Sequence, residues 1–595
     1  MPDLTNAQIA AAFEELGDLY ELDGAVQYRV LAYRAAARTV REASVSVMGL
    51  TREGRVTELS GIGKTLEEKL KALDETGDIP AAAKLRAKIP VGLISVMHLP
   101  GFGPKRAKRL YDELGVDSLD ALRAAAQEGK IRGLRGFGAR VEENLLRVLA
   151  DHEDNGGGER GGGVRVLLSR AIPLADQVVG TLRAHPAADR VEVAGSLRRQ
   201  ADSVKDLDVI ATASDPAALI ATLAELPIVE SVQSSGDAGA RATLHSGLKL
   251  DLKVVAPDQF GNVLQHFTGS KAHNVALRES AVRRGLHVSE YGILDDATGE
   301  TIRCATEEEV YAALGLDWIP PELREGRGEL EAAVRPSRPA TGLPQLIELG
   351  DVRGDLHSHT TLSDGRQSAE QMAEGARARG LDYLALTDHS ASHGFGNHVT
   401  ADDLRHRIEE VRELNARWDD FELLVGTESN ILPDGSPDYP DELLAELDWV
   451  IASIHTSFGM DERQMTDRMV AAIEHPLIDA IGHPTGRKIE TRPPYALDIE
   501  RVIDAAARTG TMLEINSAPD RRDLDELHAR AAAAAGVLIL IDSDAHSVRN
   551  LELLRYGVAT GRRAWLTREH VANARPWVEF APLRKRAKRP SPGRA

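Results

Sequence analysis

Six glycines in the nine residues Asn155-Gly-Gly-Gly-Glu-Arg-Gly-Gly-Gly163 constrain this chain more than any other stretch. No apolar side chain interrupts them, and glycine maximises backbone freedom, so the segment reads as a flexible joint and not as part of a packed element. The parts on either side must therefore each bury a core of their own. Length agrees, since 595 residues suggest roughly four compact units at about 150 residues each. With 42% hydrophobic and 28% charged residues the chain has ordinary material for such cores.

Several classes are excluded at once. The opening Met1-Pro2-Asp3-Leu4 lacks the basic and apolar regions of a leader, and no run of about 18 apolar residues follows, so a cytoplasmic protein with no membrane partner is expected. Cys304 is the single cysteine, which rules out an internal disulfide and a cysteine-based zinc site and leaves histidines and carboxylates to bind any metal. The net charge of −20 is unevenly spread. Residues 1 to 150 hold 22 Lys and Arg against 21 Asp and Glu, a net of +1, so the remainder carries −21. Such a balance leaves room for nucleic acid at the front and for acidic metal sites behind it.

Residues 4 to 50 read as amphipathic helices, with Ile9, Phe13, Leu16, Leu19 and Tyr20 at helical spacing and Arg29, Arg34 and Arg38 on the next helix. Three short segments then repeat a pattern between helices: Leu59-Ser-Gly61-Ile-Gly63-Lys64, Leu99-Pro-Gly101-Phe-Gly103-Pro104 and Leu134-Arg-Gly136-Phe-Gly138-Ala139. A glycine pair between helices exposes backbone N–H groups that can hold a phosphate, and Lys105, Arg106, Lys108 and Arg109 add positive charge beside the second. Beyond the joint, strands at 190–194, 207–212 and 248–255 alternate with helices in a mixed α/β unit. From about Leu346 a strand, loop and helix pattern repeats, with strands near Tyr383, Leu423, Trp449, Ile478, Met512 and Leu538, which suggests a (β/α) barrel.

Two sets of residues carry chemistry. In the first, a turn Gly195-Ser196-Leu197-Arg198-Arg199 precedes Asp206-Leu207-Asp208, whose carboxylates face the same side of a strand, and Asp251 lies on another strand. Three hard oxygen ligands suit Mg²⁺. Two such ions, roughly 3.5 to 4 Å apart, would activate a hydroxyl and stabilise a leaving pyrophosphate. This order resembles the nucleotidyltransferase superfamily. Within it, His266-Phe267-Thr268-Gly269-Ser270-Lys271-Ala272-His273-Asn274, together with Arg278 and Glu290-Tyr291, resembles the nucleotide pocket of family X (DNA polymerase beta-like) DNA polymerases of the bacterial type. That resemblance implies that Gly195, Ser196 and Arg199 meet the triphosphate, that Phe267 and Gly269 border the sugar, that Asn274 reaches the minor-groove edge of the base, and that Arg278 approaches the template. His266 stands where many members have tyrosine, and Lys271 replaces an acidic residue of some, which leaves sugar discrimination open. The resemblance also makes the three glycine turns helix-hairpin-helix DNA grips, with Gly61, Gly63, Lys64, Gly101, Gly103, Lys105, Gly136 and Gly138 as contacts. Lys69 aligns with the lysine that forms a Schiff base with 5′-deoxyribose phosphate in lyase-competent relatives.

The second set opens at Asp355-Leu356-His357-Ser358-His359, where imidazoles two apart on a strand end share one direction. Asp364, Asp388-His389, Glu428, His455, His483 and Asp544-Ala545-His546 follow at further strand ends, where barrel active sites are built. This part resembles the polymerase and histidinol phosphatase (PHP) domain. By that resemblance His357, His359, Asp364, His389, Glu428, His455, His483, Asp544 and His546 fill all nine ligand positions of a three-metal cluster bridged by Glu428. Mixed ligation suits Mn²⁺ or Zn²⁺, and water activated there would attack a phosphodiester or phosphomonoester.

The resulting expectation is a multidomain chain: an all-α helix-hairpin-helix front (1–83 and 84–152), a Gly-rich linker (153–163), a mixed-sheet palm (164–258), a small thumb (259–322), a linker (323–345), a PHP barrel (346–575) and a solvated basic tail (576–595). It would fill gapped or nicked DNA from deoxynucleoside triphosphates as a monomer, with 3′-5′ exonuclease activity and a lyase at Lys69. An alternative makes the nuclease or apurinic-site endonuclease the principal activity, with the front as a DNA-binding module. A small-molecule phosphatase is disfavoured by the three glycine turns.

Overall fold

The computed structural model describes residues 4–99, 102–134, 137–154, 165–335, 342–393 and 398–588. They form two compact units, the first comprising Met1–Val166, Arg170–Val193 and Val204–Pro257, the second Leu167–Ser169, Ala194–Ser203 and Asp258–Ala595.

The front of the first unit is helical. Thr5 caps the opening helix Asn6–Leu22, its side chain and that of Gln8 satisfying each other's backbone N–H. The apolar stripe predicted on this helix is buried, with Ile9, Phe13, Leu16 and Leu19 packed against Tyr33, Ala37 and Val40 of Gln27–Glu42. A second core gathers Leu93, Phe102, Leu110, Leu122 and Phe137. One backbone hydrogen bond recurs in the three repeated segments. In each, the N–H of the residue between the glycines bonds to the leucine carbonyl three residues back, Ile62 to Leu59, Phe102 to Leu99 and Phe137 to Leu134, at 3.0 Å every time.

Five strands complete this unit: β1 (Ala188–Val193), β2 (Asp206–Ala213), β3 (Val229–Gly236), β4 (Gly239–Leu244) and β5 (Lys249–Val254), in the order β1-β2-β5-β4-β3. Only β2 and β5 run parallel; the other neighbours are antiparallel.

The second unit begins with helices Phe260–Thr268 and Lys271–Val282, then an antiparallel sheet of β6 (Leu286–Ser289), β7 (Gly292–Asp295) and β8 (Thr301–Ile302). Its barrel consists of β9 (Gly354–Asp355), β10 (Tyr383–Leu386), β11 (Glu422–Asn430), β12 (Trp449–Ser453), β13 (Ala480–Ile481), β14 (Met512–Asn516) and β15 (Ile539–Asp542), parallel and in sequence order. Backbone bonds from His359 N–H to Ala545 O (2.8 Å) and from Ala545 N–H to His357 O (3.3 Å) link the last strand to the first. Period-two alternation sorts these side chains into two layers. Tyr383, Ala385, Leu424, Trp449, Ile451, Met512 and Leu540 fill the interior, while Leu384, Leu386, Leu423, Val425, Val450, Ala452, Ile539 and Ile541 face the surrounding helices.

Two segments expected to be loose are packed. Residues 323–335 of the expected linker carry Arg324 and Glu329, both fully buried, because these charges are paired inside the thumb core. The expected basic tail is packed as far as Arg586. Phe580 enters the barrel and stacks on Tyr383 with ring centroids 5.2 Å apart, Arg586 pairs with buried Asp479 at 2.8 Å, and Lys585 donates to the Ile473 carbonyl at 2.7 Å. These basic residues add to the bonds that Asp479 already accepts from the Val450 N–H and the Ile473 carbonyl from the Thr511 hydroxyl, and so complete the pairing of buried acceptors at this end. The glycine run 155–163 lies outside the described residues.

Candidate active sites

In the five-stranded sheet, β2 and β5 pair so that Asp208 lies directly opposite Asp251, with Asp206 two residues earlier on the same face. Asp251 is opposite Arg241 of β4 on its other side, and the two form an ion pair at 3.2 Å. The three carboxylates are thus brought to one face but do not converge on a point, since groups of three or more donors within 4.8 Å occur, among the described residues, only in the barrel. Like charges repel, and Arg241 draws Asp251 aside. Nothing in the spacing of the sequence pointed to Arg241, because the pairing of β4 with β5 is a matter of register.

The turn bearing the other expected nucleotide contacts belongs to the second unit. Gly195 opens a four-residue helix, Gly195–Arg198, with a left-handed φ of 66° that a side chain would strain, and Ser196 is half-buried there. Arg198 and Arg199 are both engaged. Arg198 donates two parallel hydrogen bonds to Glu307, one from each terminal nitrogen at 2.8 Å, and Arg199 pairs with Glu325 at 3.1 Å and donates to the Thr268 carbonyl. Burial alone would raise the Glu307 carboxyl, but Arg324 and Arg198 hold it down at about 2. Phe267 and Gly269 end helix Phe260–Thr268. Asn274 donates to the His266 carbonyl at 2.8 Å, and Arg278 reaches the His266 ring at 3.3 Å. His273, not singled out from the sequence, is fully buried between Glu329 (2.7 Å) and the Tyr311 hydroxyl (3.0 Å).

At the front, Gly61 (φ 87°) and Gly63 precede helix Lys64–Thr76, and Gly103 (φ 58°) opens Gly103–Leu114, so both helices present free N–H groups beside Lys64 and Lys105. Gly138 precedes helix Ala139–Asp154; Gly101 and Gly136 lie outside the described residues. Lys69 is half-buried, its ammonium 5.9 Å from the centre of the Tyr33 ring, on the wall of a cavity of about 500 Å³ shared with Tyr20, Glu68 and Lys84.

The barrel holds the densest cluster. All nine residues sit at or beyond the C-terminal ends of strands, as parallel barrels require. Glu428, at 1% exposure, is their centre: Oε1 lies 2.9 Å from His483 Nε2 and 3.2 Å from His455 Nε2, while Oε2 lies 2.8 Å from His389 Nδ1 and 3.3 Å from His357 Nε2. His359 approaches Asp544 at 3.1 Å, and His546 approaches Asp364 at 3.3 Å. Three overlapping groups have donor atoms within 4.8 Å: His359, Asp364, His389 and His546; His357, His359 and Asp544; His389, Glu428 and His455.

Charge follows from that crowding. Burial would raise the Glu428 carboxyl, yet His455, His357 and His389 keep it well below its ordinary value. Burial likewise opposes protonation of His357, but Glu514, Glu428 and Asp544 raise it well above the usual imidazole range. His359, buried and beside His389, is lowered to about 4, whereas Asp364 and Asp544 overcome burial to raise His546 to about 9. Six imidazoles and three carboxylates at these separations fit divalent cations, which would replace the protons that otherwise hold the acidic and basic groups together.

Neighbouring residues supply orientation. Glu514 accepts from His357 Nδ1 at 2.7 Å, which aims the other ring nitrogen at Glu428. Asp388 was a sequence candidate for ligation, but its carboxylate instead accepts from the Thr360 backbone and hydroxyl and from Ser363, shaping the loop that presents Asp364. Arg521 was missed. Its guanidinium is mostly buried, with Nε 4.0 Å from Asp544 and Nη1 lacking a hydrogen-bond partner. Only assembly of the barrel brings this arginine to the cluster, so no local pattern could have found it.

Comparison with known families agrees along the chain. The helix-hairpin-helix domain matches residues 4–79, the SAM-like helix-hairpin-helix tandem 93–151, the DNA polymerase beta thumb 263–325 and the PHP domain 355–518. A DNA polymerase/3′-5′ exonuclease PolX of Bacillus subtilis is 38% identical over 581 residues, covering 97% of this chain and 99% of that protein. Probable phosphatases of Caldanaerobacter subterraneus subsp. tengcongensis and of a Thermoanaerobacter species are 32% and 31% identical over 32% and 37% of this chain, covering 75% and 89% of their own lengths.

Proposed function

We infer, from the fact that the chain belongs to the PolX family of DNA polymerase/3′-5′ exonucleases, that it both extends and trims DNA ends. The observation that supports this reading is that one chain carries Asp206, Asp208 and Asp251 on one face of a sheet and, in its barrel, overlapping groups of histidines and carboxylates close enough to share metal ions. No helix among the described residues is long and apolar enough to cross a membrane.

In the first site the three aspartates would hold two Mg²⁺ ions, whose chemistry is to acidify a primer hydroxyl and to neutralise the departing pyrophosphate. Asp251, now paired with Arg241 at 3.2 Å, would give up that partner to hold an ion. Ser196 and Arg199 bind the triphosphate, Phe267 and Gly269 border the sugar, and Asn274 and Arg278 face the base pair. The glycine turns at Gly61, Gly63 and Lys64, at Gly101, Gly103 and Lys105, and at Gly136 and Gly138 grip the phosphates of gapped or nicked DNA, with affinity that falls as salt rises. Lys69 serves as the Schiff-base amine; its place on a cavity wall beside Lys84 supports this. Undiminished borohydride trapping on DNA by Lys69→Ala would exclude it.

In the barrel the nine ligands would hold three ions, Mn²⁺ or Zn²⁺ by the nature of the donors, which activate water against a phosphodiester. Glu428 lies between the groups, Glu514 fixes His357, and Arg521 faces the phosphate. Primer extension on a one-nucleotide gap, run beside Mn²⁺-dependent degradation of the same DNA, separates the two centres. Asp206→Ala with Asp208→Ala should abolish extension and spare degradation, and His357→Ala with His359→Ala should do the reverse. Extension that survives the first pair, or degradation that survives the second, refutes the corresponding assignment.

A further inference from the structure

The turn that carries Ser196 and Arg199 is held by arginines of the barrel. Arg522 is fully buried and engaged on all three nitrogens: Nε donates to the Thr560 hydroxyl at 2.8 Å, both terminal nitrogens donate to the Gln200 carbonyl at 3.1 Å, and Nη1 forms an ion pair with Asp202 at 3.0 Å. Arg487 takes the other Asp202 oxygen at 2.9 Å. Arg563, also buried, donates to the Arg199 carbonyl at 2.9 Å and pairs with Glu325 at 2.8 Å and Glu526 at 2.9 Å.

Apolar side chains would fill this space at less desolvation cost than buried guanidinium groups. What the guanidiniums add is direction, because a planar fork fixes the carbonyl it binds in distance and angle. They act on consecutive carbonyls, Arg199 and Gln200, of a turn in which Gln200 has a left-handed φ of 55°. Two further residues then lead to Asp202, and four more to Asp206 at the start of β2. Glu325 is shared between Arg199 and Arg563. When the Arg199 side chain turns to a phosphate, Glu325 keeps Arg563, so no buried carboxylate is left alone.

We propose that Arg522 and Arg563, with Asp202 as the anchor on the turn, are positioning residues for nucleotide addition, so that the barrel forms part of the apparatus that sets affinity for the incoming triphosphate. This rests on the polymerase reading above. Asp202 lies outside the metal cluster, so Asp202→Asn separates the two effects, whereas Arg522 directly follows Arg521 and its variants are read beside Asp202→Asn.

The test uses the full chain with Asp202→Asn, Arg522→Lys, Arg522→Met and the Asp202→Asn/Arg522→Met double variant, measuring single-nucleotide gap filling against triphosphate concentration and Mn²⁺-dependent degradation in parallel. Loss of alignment should raise the triphosphate KM about tenfold or more with a smaller fall in kcat, while degradation keeps its wild-type rate. The double variant should fall short of the sum of the two single effects, because both changes break the Arg522–Asp202 pair while only Asp202→Asn also loses Arg487. Unchanged KM in Asp202→Asn and Arg522→Lys overturns the proposal, as does a parallel loss of both activities in every variant. A wild-type chain that fills no gap overturns the polymerase reading itself, and this proposal with it.

Discussion

Glu307→Gln should weaken the thumb and remove its response to acid. Glu307 is 4% exposed and binds two guanidiniums at once, Arg324 at 2.5 and 3.0 Å and Arg198 at 2.8 Å twice, with the Trp318 ring N–H at 3.3 Å. Glutamine is isosteric but neutral, and its amide opposes donors with donors, so fully buried Arg324 loses its counter-charge. Breaking a buried pair in this way costs about 3 to 5 kcal/mol. The carboxyl provides a second measure. It falls from an ordinary 4.5 to about 2, which corresponds to about 3 kcal/mol at pH 7. Because the folded-state value is the lower one, this stabilisation is present above about pH 4.5 and is lost as pH falls toward 2, about 2 kcal/mol having gone by pH 3. Amide hydrogen exchange of peptides from residues 260–335, corrected for intrinsic rates, reads the thumb locally. Wild type and Glu307→Gln should differ by about 3 kcal/mol at pH 7 and by about half that or less at pH 3. A difference that stays constant from pH 7 to pH 3, or none at pH 7, would falsify the electrostatic account.

Two other outcomes follow from the barrel. Arg521→Ala should lower the rate of phosphodiester hydrolysis about 100-fold while Mn²⁺ binding, followed by calorimetry, is retained, since Arg521 touches the cluster only at 4.0 Å from Asp544; loss of metal binding in step with activity would show a structural role instead. Phe580→Ala should destabilise the barrel by about 3 to 5 kcal/mol, because Phe580 is fully buried and stacks on Tyr383 inside it. Urea denaturation measures this, and a loss under about 1 kcal/mol would mean that the plug is dispensable.

Much of the two centres was legible from residue order. Imidazoles two apart at His357 and His359, and Asp206 and Asp208 two apart on β2, announce their facing through strand periodicity alone. The glycine turns were legible because each carries the same short run of residues, and one backbone hydrogen bond, from the residue between the glycines to the leucine carbonyl, recurs in all three. Linker and tail were misjudged for the opposite reason. Glu329 and Arg324, and Lys585 and Arg586, look solvated by composition, and only the distant partners His273, Glu307, Ile473 and Asp479 make their burial tolerable.

The sequence by itself determined the order of the parts, the strand and helix periods, and the identity of the donors, because these depend on side-chain chemistry and on spacings of two to four residues. Tertiary structure alone decided that Asp208 faces Asp251, that Arg241 holds Asp251, that Glu428 stands among four imidazoles, and that Arg522 and Arg563 grip the turn at Arg199. Those relations depend on strand register and on closure of the barrel. Both are fixed by burying whole faces of the sheet rather than by any local run of residues, so they exist only once the chain has folded.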